Sequence, residues 1–232
     1  MNPFWRTALE AGTRFDRADM TWCVIKSYGG DTNYNDGNVD MLVDRPLREA
    51  HSAVLARDFR LSTRDRIKHR LYERNKLMCC PDRTDLAKIH LHRNVGWHNV
   101  CFLSAEEVFA RSTNRQFAEG AVRIADRDTE AQMFVLHIVF EQFRKNEWDM
   151  RFLSGRDFNA FADQYGIPPS VIAPVRDAGP GPLAYSVLRP IWNCYYQRRR
   201  HETGISPWNR FLHWGFTCVQ KYRKLKADRQ SP

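Results

Sequence analysis

The stretch VIKSYGGDTNYNDGNVDMLV, residues 24–43, decides how this chain is read. Its first part belongs to the apolar run Thr21 to Tyr28, which ends at Gly29-Gly30 as a buried strand entering a loop does. The turn-rich NYNDGN then opens a second apolar run, Val39 to Val43, with Asp40 inside it. An acid embedded among apolar residues needs a partner to offset the cost of leaving water, so Asp40 is the foremost functional candidate. Strand side chains alternate between faces, so Asn38 and Asp40 point to the same side. Lys26 falls at the end of the first strand, where its ammonium would meet a phosphate. Gly29 and Gly30 allow close backbone approach or a positive φ, although a lone pair of glycines is more often just a turn.

Working outward, the first half alternates strands and helices. Arg48 to Arg57 has helical spacing of Ala50, Val54 and Leu55, and His69 to Cys80 reads as a strand or hairpin. In KIHLH, Lys88 to His92, Ile89 and Leu91 take one face and Lys88, His90 and His92 the other. His90 and His92 form a workable metal-ligand pair, the plainer alternative being ordinary core or surface histidines. The second half reads as helical. Thr129 to Lys145 is apolar nearly all round, with Thr129 as its expected cap, and Ser154 to Tyr165 is a further helix ended by Gly166 and Pro168-Pro169. His137 reads as a hydrogen-bonded core histidine. Ala178 to Pro182 is a turn-rich break, followed by a basic, aromatic tail. The expected class is α/β (α+β), with an α/β core over 1–125 and a helical region over 126–232.

The ordered set IKS (Ile25 to Ser27), NVDMLV (Asn38 to Val43) and IHLH (Ile89 to His92) resembles the nucleotidyltransferase superfamily. It is most similar to bacterial nucleotidyltransferase-like families with a lysine on the first strand, and the resemblance spans about residues 20–150. It implies a nucleotidyltransferase-like mixed sheet and a metal-dependent transfer of a nucleotidyl group from an NTP to an acceptor. In that pattern Lys26, Ser27, Gly29 and Gly30 hold the nucleotide phosphates, while Asp40, Asn38 and His90 stand at the catalytic positions. The divalent ion, Mg²⁺ or Mn²⁺, falls to Asp40, Asp36, His90 and His92. Two positions depart from the family: Asn38 replaces the first metal acid, and His90 stands where a third acid is expected. Two fewer carboxylates weaken a magnesium site, which prefers hard oxygen ligands. The choices left are an altered metal set, phosphates that supply most ligands, or a degenerate fold that binds a nucleotide or polyanion without turnover. The acceptor is open among small molecules, sugars, proteins and RNA.

The chain of 232 residues is 43% hydrophobic, enough to bury a core. It contains no apolar run of about 20 residues, so no transmembrane segment is expected, and a cytoplasmic location is the expectation. Lys and Arg exceed Asp and Glu by 36 to 27, a net charge of +9 that favours polyanionic partners. The six cysteines lack metal-knuckle spacing and read as free thiols. In the tail, Trp208, Phe211, Leu212, Phe216 and Val219 recur at helical spacing beside Arg210, Lys221, Arg223, Lys224 and Lys226. This face suits an anionic surface, or else a helix packed on the core.

Overall fold

Asn2 followed by Pro3, with Phe4, Ala8, Ala11 and Phe15 on one face, makes the N-terminal segment an amphipathic helix. In the computed structural model, which describes residues 1–34, 37–71, 75–97, 100–199 and Tyr222, this is α1 (Pro3–Arg17), and Asn2 Oδ1 caps it by accepting from Trp5 N at 3.0 Å. Two compact units divide the chain, Met1–Glu130 and Ala131–Pro232. In the first, α1 is followed by β1 (Trp22–Ile25), β2 (Asn38–Val43), α2 (Leu47–Ala50), β3 (Phe59–Arg60), α3 (Thr63–Leu71), β4 (Lys76–Pro81) and β5 (Lys88–His92). The hairpin of β6 (Val95–Trp97) and β7 (Val100–Leu103) comes next, then α4 (Ala105–Ala110), β8 (Ser112–Phe117) and β9 (Gly120–Ala125). Then α5 (Arg127–His137) begins, and the division between the units falls within it.

Seven strands form one mixed sheet in the order β3-β4-β5-β2-β1-β9-β8. The β2–β5 and β1–β9 neighbours are parallel; the other pairs are antiparallel. Alternation gives the sheet two chemically distinct faces. Trp22, Val24, Val39, Met41, Val43, Ile89 and Leu91 share one face and are buried. Helix α1 packs on this side, where Trp22 Nε1 donates to Asp16 Oδ1 at 2.7 Å and Ala87 N donates to Thr7 Oγ1 at 2.8 Å. The opposite face carries Asn38 and Asp40 on β2, His90 and His92 on β5, and Lys76 and Met78 on β4. One face thus supplies the adhesion, leaving polar side chains concentrated on the other.

The second unit is helical among its described residues. After α5, a π-helical turn (Ile138–Gln142) closes at Phe143 in the left-handed region, φ 58°. Strand β10 (Arg144–Lys145) pairs with β11 (Gly181–Pro182) around α6 (Glu147–Phe152), α7 (Gly155–Tyr165) and α8 (Pro169–Arg176), and α9 (Tyr185–Arg199) follows. Its core stacks Phe140 and Tyr165 on Tyr195, and Phe143 on Trp192. The buried Lys145 ammonium donates to the carbonyls of Arg176 and Ala178 at 3.0 and 2.7 Å, which ties off the end of α8. No helix among the described residues is long and apolar enough to cross a membrane.

The mixed α/β class and the helical second half stand as expected, and β1, β2, β5 and α7 lie where the patterns placed them. Several elements differ. His69 lies in α3, not in a strand, because Ser62 Oγ and the Asp65 carboxylate cap a short polar helix; β4 starts at Lys76, where the buried alternation of Leu77 and Cys79 begins. Thr129 does not cap the long helix. Asp126 Oδ1 accepts from Thr129 N at 2.8 Å, the helix starts at Arg127, and Thr129 Oγ1 is buried with no hydrogen-bond partner among the described residues. Nor does that helix reach Lys145, since the left-handed Phe143 ends it. Cys23, Cys79, Cys80, Cys101 and Cys194 are free thiols, and burial pushes the first two well above the ordinary thiol range. The aromatic tail face from Trp208 to Lys226, apart from Tyr222, lies outside the described residues, as do Asp36 and Arg200.

Helix α1 approaches the sheet so closely at Gly12 that a methyl group there would overlap the Trp22 indole. Gly12→Ala therefore loses about 1–3 kcal/mol of stability to overpacking, more than the better helix propensity of alanine returns. Urea denaturation measures this, and a stabilised variant would show that α1 does not sit on Trp22.

Candidate functional site

The site is assembled by strand register. Ile25, the last residue of β1, lies opposite Asp40, and Asp40 in turn lies beside His90 on β5, with His92 one step further along beside Leu42. Three adjacent strands, β5, β2 and β1, therefore bring one acid, two imidazoles and the Lys26 ammonium together. Asp40 Oδ1 lies 2.7 Å from His92 Nε2 and 3.3 Å from His90 Nδ1, while Asp40 Oδ2 lies 3.6 Å from Lys26 Nζ. Side-chain exposures of only 9–15% across the four mean that water screens these interactions weakly.

Burial alone would raise the Asp40 carboxyl. The Lys26 ammonium and the hydrogen bonds from His90 and His92 outweigh it and hold the group well below the usual carboxylate range. Burial also dominates at His92 and lowers it to about 4, with its hydrogen bond to Asp40 opposing in part and the Lys76 and Lys26 charges assisting. At neutral pH, Asp40 is thus an anion and His92 a neutral imidazole. His90 Nε2 is buried without a hydrogen-bond partner among the described residues.

Asp40, His90 and His92 offer ligand atoms that lie within 4.8 Å of one another. The donor types, two imidazoles and one carboxylate, suit an ion that accepts imidazole nitrogen, such as Zn²⁺, Fe²⁺ or, with its harder preference met by the carboxylate, Mn²⁺. They do not suit a magnesium pair, because a single carboxylate is present there among the described residues and both of its oxygens already have partners. Asn38 stands two residues before Asp40 on the same face, opposite Lys88.

The loop after β1 is strained. Lys26, Tyr28, Gly29 and Gly30 have φ of 61°, 51°, 69° and 78°, and two of these residues carry side chains that disfavour such angles. Glu130, in the first turn of α5, holds the loop in this shape. Its carboxylate accepts from Ser27 N, from Ser27 Oγ at 2.7 Å and from Gly29 N at 2.6 Å, and Ser27 Oγ also accepts from Gly30 N at 3.2 Å. Of the amides expected to face a nucleotide phosphate, those of Ser27 and Gly29 are therefore bound to the protein's own carboxylate, and that of Gly30 to Ser27. On its outer side the loop is clamped to α1. Tyr28 stacks edgewise on Tyr34 and Tyr34 on Phe4, while Asn2 Nδ2 donates to the carbonyls of Thr32 and Tyr34, each at 2.9 Å.

Sequence reasoning missed Glu130. The signal that found Asp40, an acid inside an apolar run, was also present in TEAQMFVLHIVF, but there it was absorbed into a helix reading. Lys76 was missed as well, since only the strand register shows that it lies opposite His92.

No protein-family model matches the chain, and no curated protein matches it either. Among solved structures it is similar to an antigenic nucleotidyltransferase-like protein from Paracoccidioides brasiliensis, at 11% identity and a TM-score of 0.41, over 86% of this chain and 89% of that one. A likeness of that size leaves function to be argued from the residues of the site.

Replacing Glu130 orphans the buried amide and hydroxyl of Ser27. Glu130→Ala costs roughly 2–4 kcal/mol in denaturant unfolding, the range for a buried charged acceptor removed from its donors. Burial raises the Glu130 carboxyl above its ordinary value, against the hydrogen bonds from Gly29 and Ser27. A raised carboxyl is harder to ionise folded than unfolded, so this group's contribution to stability falls as pH rises through and above the ordinary glutamate range. That slope is absent from Glu130→Gln; equal slopes in the two proteins would contradict the assignment.

Proposed function

We propose that this chain is a nucleotidyltransferase-like protein that binds a nucleoside triphosphate over β1, β2 and β5 and transfers its nucleotidyl group to an acceptor hydroxyl. The carrying observation is the Asp40 carboxylate, held ionised between Lys26 and two imidazoles beside a strained glycine loop. The order of Lys26, Asp40 and His90 along the chain supports the same reading. In it, Lys26 opposes the phosphate charge. Asp40 and His92 would hold a divalent ion, with Asn38 offering a carbonyl oxygen and His90 serving as third ligand or general base. His90 Nε2, without a hydrogen-bond partner among the described residues, is the atom either role would use. A bound ion supplies positive charge to the phosphate oxygens. The acceptor oxygen attacks the α-phosphorus, pyrophosphate leaves, and the hydroxyl proton passes to a base. Ser27, Gly29 and Gly30 act by fixing the loop that places Lys26, with Glu130 accepting from Ser27 and Gly29 and Ser27 accepting from Gly30. The acceptor class stays a small molecule, a sugar or a protein.

A second reading is favoured by the missing carboxylates and by loop amides spent on Glu130: a nucleotidyltransferase-type module that binds a nucleotide without turnover. Pyrophosphate release from each of the four NTPs, with Mn²⁺ or Mg²⁺, separates the two. The transfer reading expects metal-dependent release that falls by roughly 100-fold in Asp40→Ala, the scale of losing a group that stabilises transition-state charge. Nucleotide binding with no release under any metal supports the binding module, and no nucleotide binding at all sinks both.

A further inference from the structure

The positive charge of the chain is not spread evenly. The segment from Arg57 to Lys76, which includes β3, α3 and the first residue of β4, carries eight lysines and arginines against three acids, so five of the nine net positive charges fall within it. Two of those acids are already committed: Asp58 pairs with Arg14 of α1, and Asp65 is bonded to Ser62 in the cap of α3. Arg60 pairs with Asp82 at 3.5 Å, but the two side chains are 76% and 49% exposed, where water screens such a pair. On α3 the charge takes a definite arrangement. Arg66, Ile67 and Arg70 lie within one arc of the helix, because residues three and four apart are neighbours on its surface. All three are exposed, Ile67 at 52%. Neither guanidinium has an ion pair or a hydrogen bond among the described residues. His69 Nδ1 lies 3.2 Å from the Lys76 carbonyl at the start of β4, and this anchors the inner side of the helix.

Guanidinium forks match phosphate oxygens in pairs, and the separation of about 6 Å between side chains four apart on a helix is comparable with that between successive phosphates of a strand. The field of the neighbouring basic residues attracts a polyanion before contact. A lipid surface fits this face less well, since a helix lying on lipid sets a broad apolar stripe apart from its charges, whereas Ile67 stands alone between two of them. An acidic protein partner would call for a charge-poor apolar centre. Ile67 offers an apolar rest to a sugar or an unstacked base, which a single strand presents and a duplex keeps inside. We propose that the exposed face of α3 binds single-stranded nucleic acid, with Arg66 and Arg70 on successive phosphates and Ile67 against the nucleotide between them. Phosphate contacts carry no sequence information, so the binding tolerates any sequence. This surface lies outside the nucleotidyl-transfer reading and holds whether or not the chain turns over an NTP.

The test is fluorescence anisotropy of a labelled oligouridylate with the full chain over a range of salt, with a duplex of the same length and phosphatidylglycerol vesicles as competitors. The variants are Arg66→Gln with Arg70→Gln, Arg66→Lys with Arg70→Lys, and Arg156→Gln on the exposed surface of α7 as a control for charge alone. The expected result is oligouridylate binding that weakens about tenfold in the glutamine pair at moderate salt. The slope of log affinity against log salt also falls by about 1.4, the effect of two single-strand phosphate contacts at roughly 0.7 each. The lysine pair keeps both cations and most of the slope, which separates lost charge from lost structure, and Arg156→Gln binds as the original chain does. Affinity and slope unchanged in the glutamine pair overturn the proposal, as does an absence of oligouridylate binding. So does a preference for the duplex or for the vesicles over the strand, since either assigns the face to another partner.

Discussion

A carboxylate withdrawn from water and ringed by backbone donors sets the shape on which the rest of the site depends. Glu130 receives the Ser27 amide, the Ser27 hydroxyl and the Gly29 amide, and in doing so holds a loop whose Lys26 and Tyr28 sit at left-handed angles. Each such angle costs on the order of 1 kcal/mol or more for a residue with a side chain, so it persists only where surrounding bonds over-determine it. The consequence is local and chemical. The chain turns sharply at the end of β1, and the Lys26 ammonium comes to lie by the Asp40 carboxylate instead of running on along the strand. The aromatic clamp of Phe4, Tyr28 and Tyr34 secures the loop from the α1 side, so both faces of the turn are held.

The sheet supplies the other constraint. Because β2 and β5 are parallel neighbours in register, residues chosen two apart on each strand converge, and Asp40, His90 and His92 meet without any loop to position them. The opposite face is apolar and packed by α1, which leaves the polar face available for chemistry. Asp40 is stable as an anion only because Lys26 and the imidazoles together outweigh the burial that opposes its charge. Removing any of these partners therefore changes the electrostatics of the whole group, and the site behaves as one coupled set.

Much of this was legible beforehand for definite reasons. Asp40 declared itself by desolvation, and the period-two pattern of KIHLH placed His90 and His92 on one face before any strand pairing was known. Helix α7 followed from its glycine stop, which takes the expected left-handed angle at Gly166. What escaped was information carried by pairing. Nothing local in KLMCCP says that Lys76 will face His92, since that depends on β4 running antiparallel to β5. The β8 strand, STNRQF, is mostly exposed at a sheet edge and so lacks the apolar alternation by which strands are read. Glu130 was hidden because an acid near the start of a helix has an ordinary explanation, a favourable place near the helix dipole, and only its contacts distinguish a loop anchor from a dipole partner.

The central claim is that the polar face of β4, β5, β2 and β1 is where a nucleotide's phosphates bind. The most direct measurement is a ¹⁵N-resolved NMR titration of the full chain with ATP, following every assigned amide. The account predicts that the largest shifts fall on Lys26 to Gly30, Asp40, His90, His92 and Lys76, and saturate together with one affinity. Shifts confined to the basic segment after residue 200, with the sheet residues unmoved, would contradict it and make the polyanion partner a matter for the tail alone.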